Sequence, residues 1–372
     1  MVKLTCPDGM NITDDREVEK LRRDKEKAAQ KHNLKEVASI SHCIGEILAR
    51  NGKYEAAISE HETELAIHES LEDQIGCAVA CRKIGECYCL QERYDKALKL
   101  QQRHLDLAVA CQNQLEEQRA WATIGRTYLF QIETSKGKDV VEASIKRGKE
   151  AFFKSLQVLE KLQYSVTNTE YMEMKARLYL NLGLVFDSSR DLQQCAEFMK
   201  KAISIAQKHS LHSDLYRCQV SLASMYQRGD NLSQALRYLE AAHKSALKLK
   251  DKLLENEVFS QKAIVSLLVG DYSSSKHSLK KAYRLQTTLE DKNRLMRIFR
   301  AVCKIDEAAS SLADLEDGEV MKKLKLYEVM GDSSAEIGIF RQALGYYNSM
   351  VSNYHCVFRA LPGSRLLQFN GE

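Results

Sequence analysis

The chain has 372 residues, 44% of them hydrophobic, and its 55 lysines and arginines against 51 acidic residues leave a net charge of only +4. So small an excess argues against a generic polyanion binder, while leaving room for local basic patches. The only prolines are Pro7 and Pro362, so nothing interrupts positions 8–361, which fits near-continuous helix because proline breaks helix interiors.

Residues 1–13 read as a disordered N-terminus without the apolar core of a signal peptide. With an odd count of eleven cysteines, that places the chain in a reduced compartment, cytosolic or nuclear. No apolar run approaches the length of a membrane span.

From residue 14 to 286 the chain repeats. Gly45, Gly85 and Gly125 stand 40 apart, each after isoleucine; Gly183, Ala223 and Ala263 resume the step after a jump of 58, and Gly331 closes the series. Nine residues after most of these anchors comes a large apolar residue (Tyr54, Tyr94, Leu192, Leu232, Tyr272, Phe340), and three later a small one (Ala57, Ala97, Cys195, Ala235, Ser275, Ala343). A further small residue recurs in the second helix at Ala202, Ala242 and Ala282. Each anchor lies in a helical pattern: Ile75, Val79, Ile84 and Tyr88 share one stripe, QER breaks it, and Tyr94, Ala97, Leu98, Leu105 and Val109 form a second. Asn33, Asp73, Asn113 and Asp251, twelve residues before four anchors, read as N-caps; Asn33 with Glu36 and Asn113 with Glu116 have capping-box spacing. Asn51–Gly52, Gly229–Asp230 and Gly270–Asp271 read as helix stops. Small anchor against small partner implies two helices that cross closely, with the large residue filling the neighbouring gap.

This is the tetratricopeptide pattern at a period of 40 instead of 34. The expected fold is all-α, a right-handed superhelical solenoid of helix–turn–helix repeats at about 38–71, 78–111, 118–157, 176–209, 216–249 and 256–289. HEAT and armadillo repeats share the period but lack this small/aromatic/small register, and WD40 blades need strands. The 18 extra residues before Gly183 are expected as loops, around ETSKGKDVVEASIKRGKE and QYSVTNTE. Residues 287–323 read as a degenerate repeat or linker helix and 324–350 as a last partial repeat. Residues 351–372 form an atypical tail, so the array is expected to be cut short or finished by unrelated sequence.

Cys77, Cys81, Cys87 and Cys89 cluster, but not at the paired spacing of structural zinc, and read as small buried hydrophobes. The ten histidines form no HxxxH or HExxH, and there is no P-loop, GxGxxG or GxSxG. No catalytic residue, cofactor or metal site is therefore expected. LRRDKEK and SIKRGKE mix base with acid, so no direct nucleic-acid binding is expected either. What remains is a surface. Positions six and two before each anchor and one and five after it share a face of the first helix, the side such repeats turn to their ligands. That face carries Lys83, Arg119, Arg126, Arg177, Asn181, Arg217 and Arg228, with Arg82 beside it, against fewer acids (Glu46, Glu86, Glu257). Two readings stand: a groove for an extended acidic segment of another protein, since arginine forks suit carboxylates and peptide carbonyls, or arginines paired with glutamates of adjacent helices.

The segments GCAVACRKIGE (76–86), QRAWATIGRTYL (118–129), RLYLNLGLVF (177–186) and LKKAYRL (279–285) resemble the N-terminal tetratricopeptide region of the tonsoku-like family, from about residue 16 to 347. The resemblance implies a nuclear, chromatin-associated scaffold that works with a large partner subunit. It implies action at stalled or collapsed replication forks, promoting homologous-recombination repair of double-strand breaks, and association of this region with histone chaperones and replication factors. The family reads histone tails through ankyrin repeats and binds its partner subunit through leucine-rich repeats; neither signature is in this chain, so only the scaffold role carries over. The alternatives are a cytoplasmic adaptor of the spindle-orientation type, sharing the Asn181-Leu182-Gly183 helix, and a regulatory domain severed from an enzyme.

Overall fold

The computed structural model describes residues 12–316 and 319–360, and among them sixteen helices and no strands. The expectations for the first eleven residues and for the tail beyond Ala360 lie outside the described residues. The chain divides into two compact units, Met1–Asp214 and Leu215–Glu372. The first holds α1 (Ile12–Gln30), α2 (Leu34–Arg50), α3 (Tyr54–Ser70), α4 (Gln74–Leu90), α5 (Tyr94–Ala110), α6 (Gln114–Thr134), α7 (Lys138–Lys161), α8 (Asn168–Ser188) and α9 (Leu192–Lys208). The division falls in α10 (His212–Arg228). The second unit continues with α11 (Leu232–Leu249), α12 (Lys252–Val269), α13 (Tyr272–Leu285), α14 (Leu289–Ala313), α15 (Val320–Glu336) and α16 (Phe340–Ala360). No described helix is long and apolar enough to cross a membrane.

The 40-residue step is two steps of 20. The regular helices α2, α3, α4, α5, α9 and α10 have 17 residues each, and three residues join each to the next. The middle residue of these three-residue links is left-handed, at His32, Gly52, Glu72, Glu92, Gln112, Arg190, Ser210 and Asp230, and the two-residue links after α11 and α12 open on the left-handed Lys250 and Gly270. Apart from the turn at Lys250, each is a Schellman motif whose last residue leads into the next helix. After α3, for example, the Glu72 N–H donates to the Glu69 carbonyl at 3.2 Å and the Asp73 N–H to the His68 carbonyl at 2.9 Å, while the Asp73 carboxylate accepts from the Gly76 N–H at 3.0 Å. Asn33, Asn113 and Asp251 cap in the same way. The Asn113 box is incomplete, because the Glu116 carboxylate turns to His104 and Arg119 instead. Gly270 sits at φ +88° with nothing within 4 Å of a notional Cβ, so Gly270→Ala isolates the backbone cost. It should lower stability by about 1 kcal/mol in urea denaturation.

The glycine anchors work differently from the small-on-small contact expected of them. At Gly45, Gly85, Gly183 and Gly331 a Cβ would meet the side chain sixteen residues on: His61 at 2.5 Å, Gln101 at 3.0 Å, Met199 at 2.6 Å and Tyr347 at 2.5 Å. At Gly125 the lengthened pair brings Phe152 to 2.6 Å instead. Missing Cβ atoms thus admit large side chains from the second helix, while the small residue presents its backbone, as with the Ala97 carbonyl at 3.3 Å from the Gly85 site. The large residue of the pattern opens the second helix and is only partly covered; Leu192 and Phe340 are exposed.

The 18 extra residues are not loops. They lengthen α6 to 21, α7 to 24 and α8 to 21 residues, and only the link from Leu162 to Thr167 is longer than usual. Neither segment contains a proline to stop a helix, and Phe152, Leu159 and Leu162 bury themselves against α8 side chains such as Leu178 and Leu182. The stretch that lost the register is one 25-residue helix, α14, whose Leu295, Val302 and Ile305 join the core of the second unit. At the other end α1 lies on α2, burying Val18 and Ala28 and presenting Asp14, Asp15 and Lys25 to Arg50, Lys53 and Glu60.

A face of first helices and a buried histidine cluster

In the first unit α3 packs on α4, α5 on α6 and α7 on α8, and α4 also touches α6 as α6 touches α8. The first helices therefore share a continuous face, and a ladder of ion pairs runs along it. Lys83 meets Glu46 of α2 at 2.7 Å and Glu86 at 3.7 Å. Arg82 lies 3.8 Å from Glu86 and 3.6 Å from Glu116 of α6. Arg119 donates to Glu116 at 2.7 Å and to Glu170 of α8 at 3.3 Å. Arg177 bridges Glu173 and Asp214, each at 3.4 Å.

The sequence-predicted residues of this face separate by exposure. Arg82 and Lys83 are only 16% and 17% exposed and are spent on the ladder. Arg119 and Arg177 pair with carboxylates yet stay open at 38% and 55%. Arg126 is exposed and, among the described residues, joins no ion pair; Asn181 is half-buried. Arg217 and Arg228 are exposed on the part of α10 that belongs to the second unit. The carboxylates Glu116, Glu170 and Glu173 were missed in the sequence because they lie outside the four register positions read for that face. Glu116 sits one turn before Arg119, and that i, i+3 spacing was the available signal.

Glu116 is the deepest rung. Burial alone would push its carboxyl up, but the hydrogen bond from His104 Nε2 at 3.0 Å and the charges of Arg82 and Arg119 outweigh it and hold the group at about 2. A second buried carboxylate lies one repeat earlier. Glu64 on α3 receives His42 Nδ1 of α2 at 3.0 Å on one oxygen and His61 Nδ1 at 2.8 Å on the other. Burial opposes its ionisation, and these two hydrogen bonds overcome it, again to about 2. His68 Nε2 stands 4.0 Å away, and its Nδ1 faces Asp73 at 2.9 Å. His61, Glu64 and His68, at spacings of three and four, line one side of α3; a search for HxxxH or HExxH passes over that spacing.

The clustered cysteines are packing groups. Cys77, Cys81, Cys87 and Cys89 are all buried, and burial pushes the Cys81 thiol to about 11 and that of Cys87 to about 12, far from thiolate reactivity.

Paired helices at this register, with a polar face of first helices, define a tetratricopeptide-repeat module for protein–protein interaction. Tetratricopeptide-repeat family patterns match residues 36–108 and 176–209. The aspartyl phosphate phosphatase F of Bacillus subtilis superposes with a TM-score of 0.55 over 98% of this chain and 99% of its own; at 9% identity that likeness speaks for the fold alone. Across the same repeats the chain is homologous to the tonsoku-like proteins. It is 38% identical to that of Bos taurus over 355 residues, 95% of this chain and 25% of the relative, and 39% identical to that of Danio rerio over 346 residues, 92% and 24%. The chain thus spans about a quarter of the length of the curated relatives it matches.

Proposed function

We propose that the chain acts as a non-enzymatic, protein-binding scaffold of the tonsoku-like type, in a nuclear complex that promotes homologous-recombination repair at stalled or collapsed replication forks. The observation that carries this reading is homology to tonsoku-like proteins at more than a third identity along nearly the whole chain. The partners it implies for these repeats are histone chaperones and replication factors, held through helix faces and not through nucleic acid, within a complex that also contains the large subunit and engages histones. Affinity capture with the purified chain from nuclear extract tests it. Replication and chromatin factors are the expected catch; cytoskeletal or cortical proteins without them would instead favour the spindle-orientation adaptor.

Within the module, the contact surface is the first-helix face around Arg119, Arg126 and Arg177, where guanidinium groups remain open to solvent. An extended acidic segment suits it, because bidentate arginine–carboxylate pairs are strong and directional. Charge reversal at Arg126 and Arg177 together should abolish capture while leaving helicity, followed by circular dichroism, intact. Capture that survives this pair of changes would remove the face from the reading.

A further inference from the structure

We propose that His42, His61 and Glu64 form a binding site for one zinc-class divalent ion that staples α2 to α3. The three offered ligand atoms lie within 4.8 Å of one another on two adjacent helices. A tetrahedral ion with bonds of about 2.0–2.1 Å holds its ligand atoms about 3.3 Å apart. With one ligand atom from each residue, the present separations are all within 4.8 Å, so the side chains need to draw together by at most about 1.5 Å to admit it. Two imidazoles with one carboxylate is a donor set for zinc or a neighbouring transition ion, whereas calcium and magnesium take oxygen.

The surroundings fit a ligand shell better than a plain hydrogen-bonded cluster. His61 is fully buried, and its Nε2 has no hydrogen-bond partner. When a metal replaces the proton on Nδ1, the ring's remaining proton moves to Nε2 and needs an acceptor. That nitrogen faces Gly45, and one turn away on α2 the buried Ser41 hydroxyl also lacks a partner. His42, 32% exposed, leaves an entry path from solvent.

The test uses the whole chain, untagged and stripped with a chelator, and zinc and cobalt chlorides as probes. One equivalent of zinc should bind by calorimetry, thermal stability should rise, and cobalt should give the visible absorption of tetrahedral coordination. His42→Ala, a change at the least buried ligand, should abolish the cobalt spectrum with helicity unchanged. No uptake by the native chain, or uptake and spectrum unaltered in His42→Ala, would reduce the cluster to a hydrogen-bonded brace and overturn the site. The spectrum of the native chain decides the matter even where a variant folds poorly.

Discussion

Glu116→Ala should unfold the first unit more readily by about 3–5 kcal/mol, the cost of removing one partner from a buried ion network. The side chain is 6% exposed and is shared by His104, Arg82 and Arg119. Its loss strands Arg82, which is itself mostly buried and whose remaining carboxylate, Glu86, lies 3.8 Å away. The control is the exposed pair Lys201–Glu197, where both side chains are about half open; Glu197→Ala should change stability by less than about 1 kcal/mol. Thermal denaturation of both variants gives the comparison, and added salt should narrow the surface effect while leaving the buried one nearly unchanged. The pH dependence follows from the same groups. Glu116 and Glu64, both held at about 2 in the folded chain against an ordinary 4.5, stabilise it fully above pH 4.5 and lose that contribution as pH falls toward 2. His42 runs the other way. Its hydrogen bond to Glu64, working against burial, raises its pKa above 6.5, so its contribution is complete below that value and fades as pH rises through the raised one.

The capping residues Asn33, Asp73, Asn113 and Asp251 were legible in the sequence because a short polar side chain has one good use at a helix start. The left-handed residue just before each cap was not legible, since His32, Glu72, Glu92 and Gln112 have no sequence preference for that conformation. The surrounding hydrogen bonds impose it, at a cost that glycine avoids, among the described residues, at Gly52, Gly270 and Gly338. Without those positions a period of 40 could not be split into its two steps of 20. The candidate face was legible in its cations and illegible in its balance. Lys83 was placed on it by register and Arg82 beside it, but the pairings of Lys83 with Glu46 and of Arg82 with Glu116 cross between helices, which a single helix's spacing does not reveal. Tertiary proximity also brings His42 to Glu64, 22 residues away in sequence.

The fit of each anchor to the residue sixteen later makes the second large prediction, in which two changes should cost less than one. A Cβ at Gly183 would stand 2.6 Å from Met199 Cγ and 3.4 Å from the Cys195 carbonyl. Met199 is fully buried and cannot swing aside. Gly183→Ala should therefore destabilise the first unit by about 1–3 kcal/mol through overpacking, despite the gain of about 0.5–1 kcal/mol that alanine brings to a helix interior. The second unit already contains the alternative solution: two of its anchors are Ala223 and Ala263, and sixteen residues on stand the buried leucines Leu239 and Leu279, each in the same core cluster as its anchor. Gly183→Ala combined with Met199→Leu transplants that pairing: it removes the Cε that the new Cβ would meet at 3.2 Å, and the branched Cγ takes the rotamer that the alanine–leucine pairs of the second unit accommodate. The double variant should recover most of the lost stability, giving a coupling energy of about 1 kcal/mol or more in a double-mutant cycle of urea midpoints. Strict additivity would mean that Met199 does not fill the space at Gly183. The anchor would then be glycine for the approach of the Cys195 backbone alone, and the repeat's small residues would be set by helix spacing rather than by the side chain they admit.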